Sequence, residues 1–198
     1  MTHPVHFFTA FAYNNAWANH RLLKACGRLP AAEFAAPRTG FFPSLKATLN
    51  HIVTVDWFYV DALERALRGA PPDPQPGHFF EPEEPFADCA ALTTAQRAVD
   101  QRLIDLCCRL STAQLDGPVQ ITRRDGVHTD RVARILMHLF QHQIHHRGQA
   151  HAMLSGTAVE PPQLDEFFCA NEAPLRATDF AELGWTEEAV WSRNAAAT

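Results

Sequence analysis

Apolar side chains recur at the spacing of an amphipathic helix through four long stretches, and the prolines gather between those stretches rather than inside them. The pattern commits most of the chain to long helices joined by irregular links. In the first stretch, Phe7, Phe11, Ala18, Leu22 and Ala25 align from Phe7 to Leu29, and Pro30 stops it. The second starts after Pro43 with Ser44 as its cap and runs through Leu49, Ile52, Val55, Tyr59, Leu63 and Leu67 to Gly69. Residues 70–86 hold six prolines, which forbid regular helix and predict a long crossover loop. The third helix is expected from Ala87 to Leu110, striped by Val99, Leu103, Leu106 and Leu110, with a break over Ser111–Pro118. Val119–Thr122 and Val127–Thr129 flank a turn at Asp125-Gly126 and predict a small hairpin. The fourth helix is expected to begin at Thr129 or Asp130 as cap and to reach Leu154, closed by Gly156. Beyond Pro161-Pro162 the pattern predicts a short helix, Leu164–Ala170, then an amphipathic tail with an Ala-rich end. The expected fold is all-α: a four-helix bundle with a long crossover between its second and third helices, a small hairpin before the fourth, and short C-terminal helices.

At 198 residues, with 46% hydrophobic and 20% charged residues, the chain is expected to form one domain over 1–198, and a disordered or collagen-like chain is excluded. Seventeen Lys and Arg against 22 Asp and Glu give a net charge of -5, so the basic footprint of a nucleic-acid-binding domain is missing. The five cysteines (Cys26, Cys89, Cys107, Cys108, Cys169) are odd in number and form no C-x-x-C pair, which suits reduced thiols. Neither a basic-then-apolar leader nor a membrane-length apolar run is seen, so a cytoplasmic location without membrane insertion is expected.

Eleven histidines remain to be explained, and the densest group is His138-Leu139-Phe140-Gln141-His142-Gln143-Ile144-His145-His146-Arg147-Gly148-Gln149 in the fourth helix. With about 100° per residue and His138 at zero, Val132, Ile135, Leu139, Ala150 and Met153 place the core at roughly 60–120°. On that wheel His142 falls near ~40° and His146 near ~80°, while His138 and His145 lie farther out and His151, at ~220°, points away. Imidazoles at i and i+4 project side by side and can reach one ion. The candidate third ligand is His51, the one histidine of the second helix, set among Leu49, Ile52 and Val53. Three protein ligands leave coordination positions open for water or substrate. A zinc-protease reading fails because Gln143 stands where an H-E-x-x-H helix needs its Glu. A hydrogen-bonded core role for His51, or a solvated face for the fourth-helix cluster, is the competing reading. Asp56 is read either as a carboxylate partner of a ligand imidazole or, preferentially, as a helix contact. For Arg147, Tyr13, Asn14, Trp17 and Asn19, core packing or surface pairing is preferred over lining a site. Cys107-Cys108 reads as structural thiols rather than nucleophiles.

With these residues in view, the chain resembles the DinB family of DinB/YfiT-like metalloenzymes. Tyr13-Asn14-Asn15-Ala16-Trp17-Ala18-Asn19 looks like the family's opening motif, Leu49-Asn50-His51 like its second-helix histidine, and His142 to Gln149 like its signature helix. Pro161-Pro162-Gln163-Leu164-Asp165-Glu166-Phe167-Phe168 looks like the segment that follows the last long helix. The resemblance implies a four-helix bundle and a three-histidine site on His51, His142 and His146 holding nickel or zinc. It also implies a small-molecule substrate, a low-molecular-weight thiol among the candidates, and a homodimer. A three-histidine metal with open positions can stabilise a thiolate or lower the pKa of water, so the expected activity is a thiol-dependent transferase or a hydrolase. The alternative is a metal-binding or interaction bundle without turnover.

Overall fold

The computed structural model describes residues 4–191. Helix α1 (Pro4–Cys26) opens on proline, which is tolerated there because the first N–H groups of a helix have no intrahelical partner. It ends three residues short of the expected Leu29, and Pro30 then precedes the short helix α2 (Ala31–Ala35), which is pinned by buried Phe34. Helix α3 (Leu45–Leu67) is capped as expected: Ser44 Oγ accepts from Ala47 N at 3.0 Å. Beyond it, Gly69 adopts a left-handed φ of 67°, which glycine takes without a Cβ clash.

The proline-rich connection to the next long helix carries one 3-10 turn, Pro76–Phe79. Phe79 and Phe80 pack on Phe58, with ring centroids 6.1 and 5.3 Å away. Its far end is tied to α3 by Asn50, whose side chain donates to Phe86 O at 3.0 Å and accepts from Phe86 N at 2.9 Å. Helix α4 (Cys89–Arg109) starts on Asp88, which accepts from Ala91 N. A single turn, α5 (Thr112–Leu115), follows with a Ser111/Gln114 capping box.

The expected hairpin is present and longer than the sequence suggests: β1 (Pro118–Arg123) pairs antiparallel with β2 (Gly126–Arg131), from Arg123 opposite Gly126 to Pro118 opposite Arg131. Its extra length moves the start of α6 (Val132–Leu154). Thr129 and Asp130 do not cap this helix, because their backbone is paired in the ladder opposite Gln120 and Val119. Arg131 stands at the cap without a side-chain capping bond, and Gly117 O accepts from Val132 N at 3.0 Å. The helix ends as expected at Leu154, and Gly156 N closes back on Met153 O.

The expected helix Leu164–Ala170 does not form. Phe167 is fully buried against Trp17 and Phe180, and Arg176 Nη1 donates to the carbonyls of Cys169 and Glu166, so the segment satisfies its backbone through a side chain. Helicity resumes in a 3-10 turn (Ala170–Glu172), α7 (Ala173–Leu183) and α8 (Glu187–Trp191). The expected Ala-rich end lies outside the described residues.

The chain is thus mostly helical with one small two-stranded sheet. α1 packs on α4 and α6, and α3 packs on the same two helices, so α3 and α6 run alongside each other over a shared face. The main core, with Val53, Val60, Leu63, Leu103, Leu106, Leu136 and Leu139, fills the space between the four long helices and β1. A second cluster around Leu22, Leu45, Leu92 and Leu154 closes one end. A third, Trp17 with Phe167, Phe180 and Val190, docks the C-terminal segment on α1.

Candidate metal centre

Three histidines from two helices meet. His51 projects from the second turn of α3, and His142 and His146 from successive turns of α6. His51 Nε2 lies 3.0 Å from His142 Nε2, and one ring nitrogen from each of the three falls within 4.8 Å of the others. A tetrahedral zinc with Zn–N bonds of about 2.0–2.1 Å spaces its ligand nitrogens about 3.3 Å apart, so the cluster is already near the dimensions of a metal site. The helical wheel's choice of His142 and His146 over their neighbours matches this arrangement. His138 is exposed, 6.3 Å ring to ring from His142 and 5.1 Å from Tyr59. His145 is exposed and bonded to Gln149, and His151 bonds Pro162 O at 2.9 Å.

The hydrogen bonds around the cluster fix how the rings present themselves. Gln149 Oε1 accepts from His146 Nδ1 at 2.9 Å, and Gln149 Nε2 donates to His145 Nε2 at 3.1 Å. The amide therefore keeps the proton of His146 on Nδ1 and leaves the Nε2 lone pair free. His142 Nδ1 is buried with no partner. Burial, reinforced by the neighbouring imidazoles, pushes His142 down to about 3 and His51 down to about 4, and His146 is lowered chiefly by burial too. All three are neutral at pH 7 and available as donors. Their hydrogen-bond partners are imidazole and amide, not carboxylate.

A loop before α3 supplies an aromatic wall. Phe42 stacks on His51 with centroids 4.3 Å apart and lies 5.5 Å from His146; Phe41, 6.2 Å from His146, is 76% exposed. Arg38 N donates to Pro43 O at 2.8 Å and closes this loop. Gly40 lies against the tip of Met153, where a Cβ would collide with that methyl group. No helical periodicity reaches residues 37–43, so this wall is not legible in the sequence pattern.

The other singled-out residues fall elsewhere. Asp56 is 1% exposed and meets no imidazole; Gln96 and Gln143 donate to it, which bears out the helix-contact reading. Arg147, 4% exposed, donates to Asn15, Asn19 and Gln143 and is part of the core. Trp17 is fully buried and donates to Asp179, Asn19 donates to Asp100, and Tyr13 packs edge-on against Trp185. Asn14 is buried in α1. The five cysteines are free, and burial raises the pKa of both Cys107 and Cys108, as suits structural thiols. A second grouping of His20, Asp179 and Glu182 has its imidazole spoken for: Arg97 donates to Nδ1 at 2.9 Å, and Nε2 bonds Glu182 at 2.8 Å. It ties α7 to α1 as an ion-pair network with Arg21 and Lys24.

The sequence pattern of the DinB family matches residues 1–179, a span containing both histidine-bearing helices, α3 and α6, and the opening motif. The chain belongs to the DinB family. Protein DinB of Bacillus subtilis (strain 168) is similar to it, 25% identical over 166 residues that cover 78% of this chain and 88% of the relative. Two features of this DinB-family chain carried no sequence signal of their own: the Phe41-Phe42 wall, and the part played by Gln149, whose only clue is its position one turn beyond His146. Among the described residues no helix is long and apolar enough to cross a membrane.

Proposed function

We propose that this DinB-family chain is a metal-dependent enzyme built as a single four-helix bundle, with His51, His142 and His146 as ligands for nickel or zinc. The reaction best suited to the site is a thiol-dependent transfer to a small electrophile, with hydrolysis as the other outcome. One observation carries the reading: three neutral imidazoles converge from two helices with no carboxylate among their partners. A divalent ion on such a set keeps its full charge and, when bound, favours an anionic partner such as a thiolate over the neutral thiol. The chain's own residues do the rest. The three Nε2 lone pairs bind, Gln149 orients His146, and Phe41 and Phe42 present an apolar surface that excludes water beside His51 and His146.

Elemental analysis of the untagged protein beside His142→Ala/His146→Ala, with folding checked by circular dichroism, tests this. About one nickel or zinc per chain in the wild type, lost in a folded variant, supports the reading. Metal absent from both after reconstitution overturns it. Stoichiometric metal without turnover on a panel of thiols with electrophiles and of esters leaves the non-catalytic metal-binding bundle.

A further inference from the structure

Behind the histidines lies a buried polar network to which all four long helices contribute. Asn15 and Asn19 come from α1, Asp56 from α3, Gln96 and Asp100 from α4, and Gln143 and Arg147 from α6. Its bonding has a fixed direction. Asn15, Asn19 and Gln143 each accept from Arg147 Nη1 through the amide oxygen and donate to a carboxylate through the amide nitrogen. Asn15 and Asn19 donate to Asp100, at 3.1 and 3.0 Å, and Gln143 donates to Asp56. Arg147 thereby fixes which way all three amides point. Gln96 Nε2 completes the set by donating to Asp56 at 2.7 Å and to Asp100 at 3.1 Å.

We infer that Asp56 and Gln143 are positioning residues for the histidine site: the bond between them holds α3, which carries His51, in register with α6, which carries His142 and His146. The inference rests on the reading that these histidines hold a metal. Gln143 adjoins His142 in sequence and Asp56 follows His51 by five residues, so the one direct link between these two side chains joins the two ligand-bearing helices beside the ligands. Metal–ligand distances tolerate only about 0.2 Å, whereas a helix freed from its neighbour can slide by a sizeable fraction of its 1.5 Å rise per residue.

Charge counting identifies the form in which the link exists. Two carboxyl groups and one guanidinium are buried together, so one proton must reside on the acids to balance them. Asp56 carries it, since burial, reinforced by Asp100, pushes this carboxyl up to about 8. Asparagine at position 56 is therefore close to the native group in charge and shape.

The test is cobalt(II) titration of the metal-free protein, reading affinity and the visible spectrum, with folding checked by circular dichroism. Asp56→Asn is expected to stay within about twofold of wild type, whereas Asp56→Leu and Gln143→Leu weaken cobalt binding about tenfold or more and alter the spectrum. Asp100→Asn is the control: its helix carries none of the three histidines, so its stability changes while its cobalt affinity does not. If the Leu variants do not fold, Gln143→Asn keeps the amide but is one methylene too short to reach, and the same loss is expected. Unchanged affinity and spectrum in folded Asp56→Leu or Gln143→Asn overturns the positioning role. No cobalt binding by the wild type overturns the metal reading beneath it, and the two failures are told apart by the wild-type titration alone.

Discussion

The proton held on Asp56 makes stability depend on pH in a direction opposite to that of most carboxylates. An ordinary paired carboxylate has a lowered pKa and stabilises the fold as pH rises. Asp56 has a folded value of about 8 against 3.8 for the free side chain, so the folded state binds the extra proton throughout that interval. Its favourable contribution is complete below 3.8 and is lost as pH climbs toward 8. Each pH unit in the interval costs about 1.4 kcal/mol for one such group. In the window from 6.5 to 8 Asp100, raised to about 6, is largely ionised, and the buried thiols, whose free value is 9.0, contribute little. His20, His51, His142 and His146, lowered in the fold from a free value of 6.5, still add stability over the lower part of that window, so the Asp56 effect is read as the difference between wild type and Asp56→Asn. Across this window the metal-free wild type should lose about 2 kcal/mol of unfolding free energy relative to Asp56→Asn. Urea unfolding followed by circular dichroism at constant ionic strength reads this directly, with an unchanged denaturant slope confirming that the folded state is the same. A wild-type profile parallel to that of Asp56→Asn would refute the assignment of the proton.

Two further expectations follow from particular bonds. Gln149→Leu removes the acceptor that fixes the His146 ring and should weaken metal binding by about ten- to a hundredfold in a chelator competition, leaving the unfolding midpoint of the metal-free protein nearly unchanged. Ser44→Ala leaves Ala47 N without its cap inside a buried turn and should cost about 1 kcal/mol in urea unfolding.

The long helices and the histidine triad were legible because both obey one periodicity. The residue spacing that buries Leu139 and Ala150 also turns His142 and His146 inward, and His51 betrayed itself by its apolar neighbours in α3. The polar network was half visible: with His138 at zero, Gln143 falls at ~140° on the wheel, beside the core direction, but the bonded partners lie 87 and 40 residues apart along the chain, on helices whose mutual rotation a linear pattern does not encode. The segment after Pro161-Pro162 is irregular although Leu164, Phe167 and Phe168 carry helix-like spacing. What decides that segment is the deep seat of Phe167 beside Trp17 and the guanidinium of Arg176 taking its carbonyls, both long-range effects. The cap of α6 failed for a related reason, since Thr129 and Asp130 are good capping residues already committed to a strand partner.

The loop carrying Phe41 and Phe42 closes on itself through Arg38 and Pro43 and contributes none of the three histidines. The frame of three imidazoles that could hold an ion and the aromatic surface beside it are therefore separate modules of the chain. Substitutions in the loop alter the shape and greasiness of the entrance while the imidazoles stay where α3 and α6 put them. On the proposed reading, the three imidazoles govern the chemistry at the ion and the loop governs which molecule is brought to it.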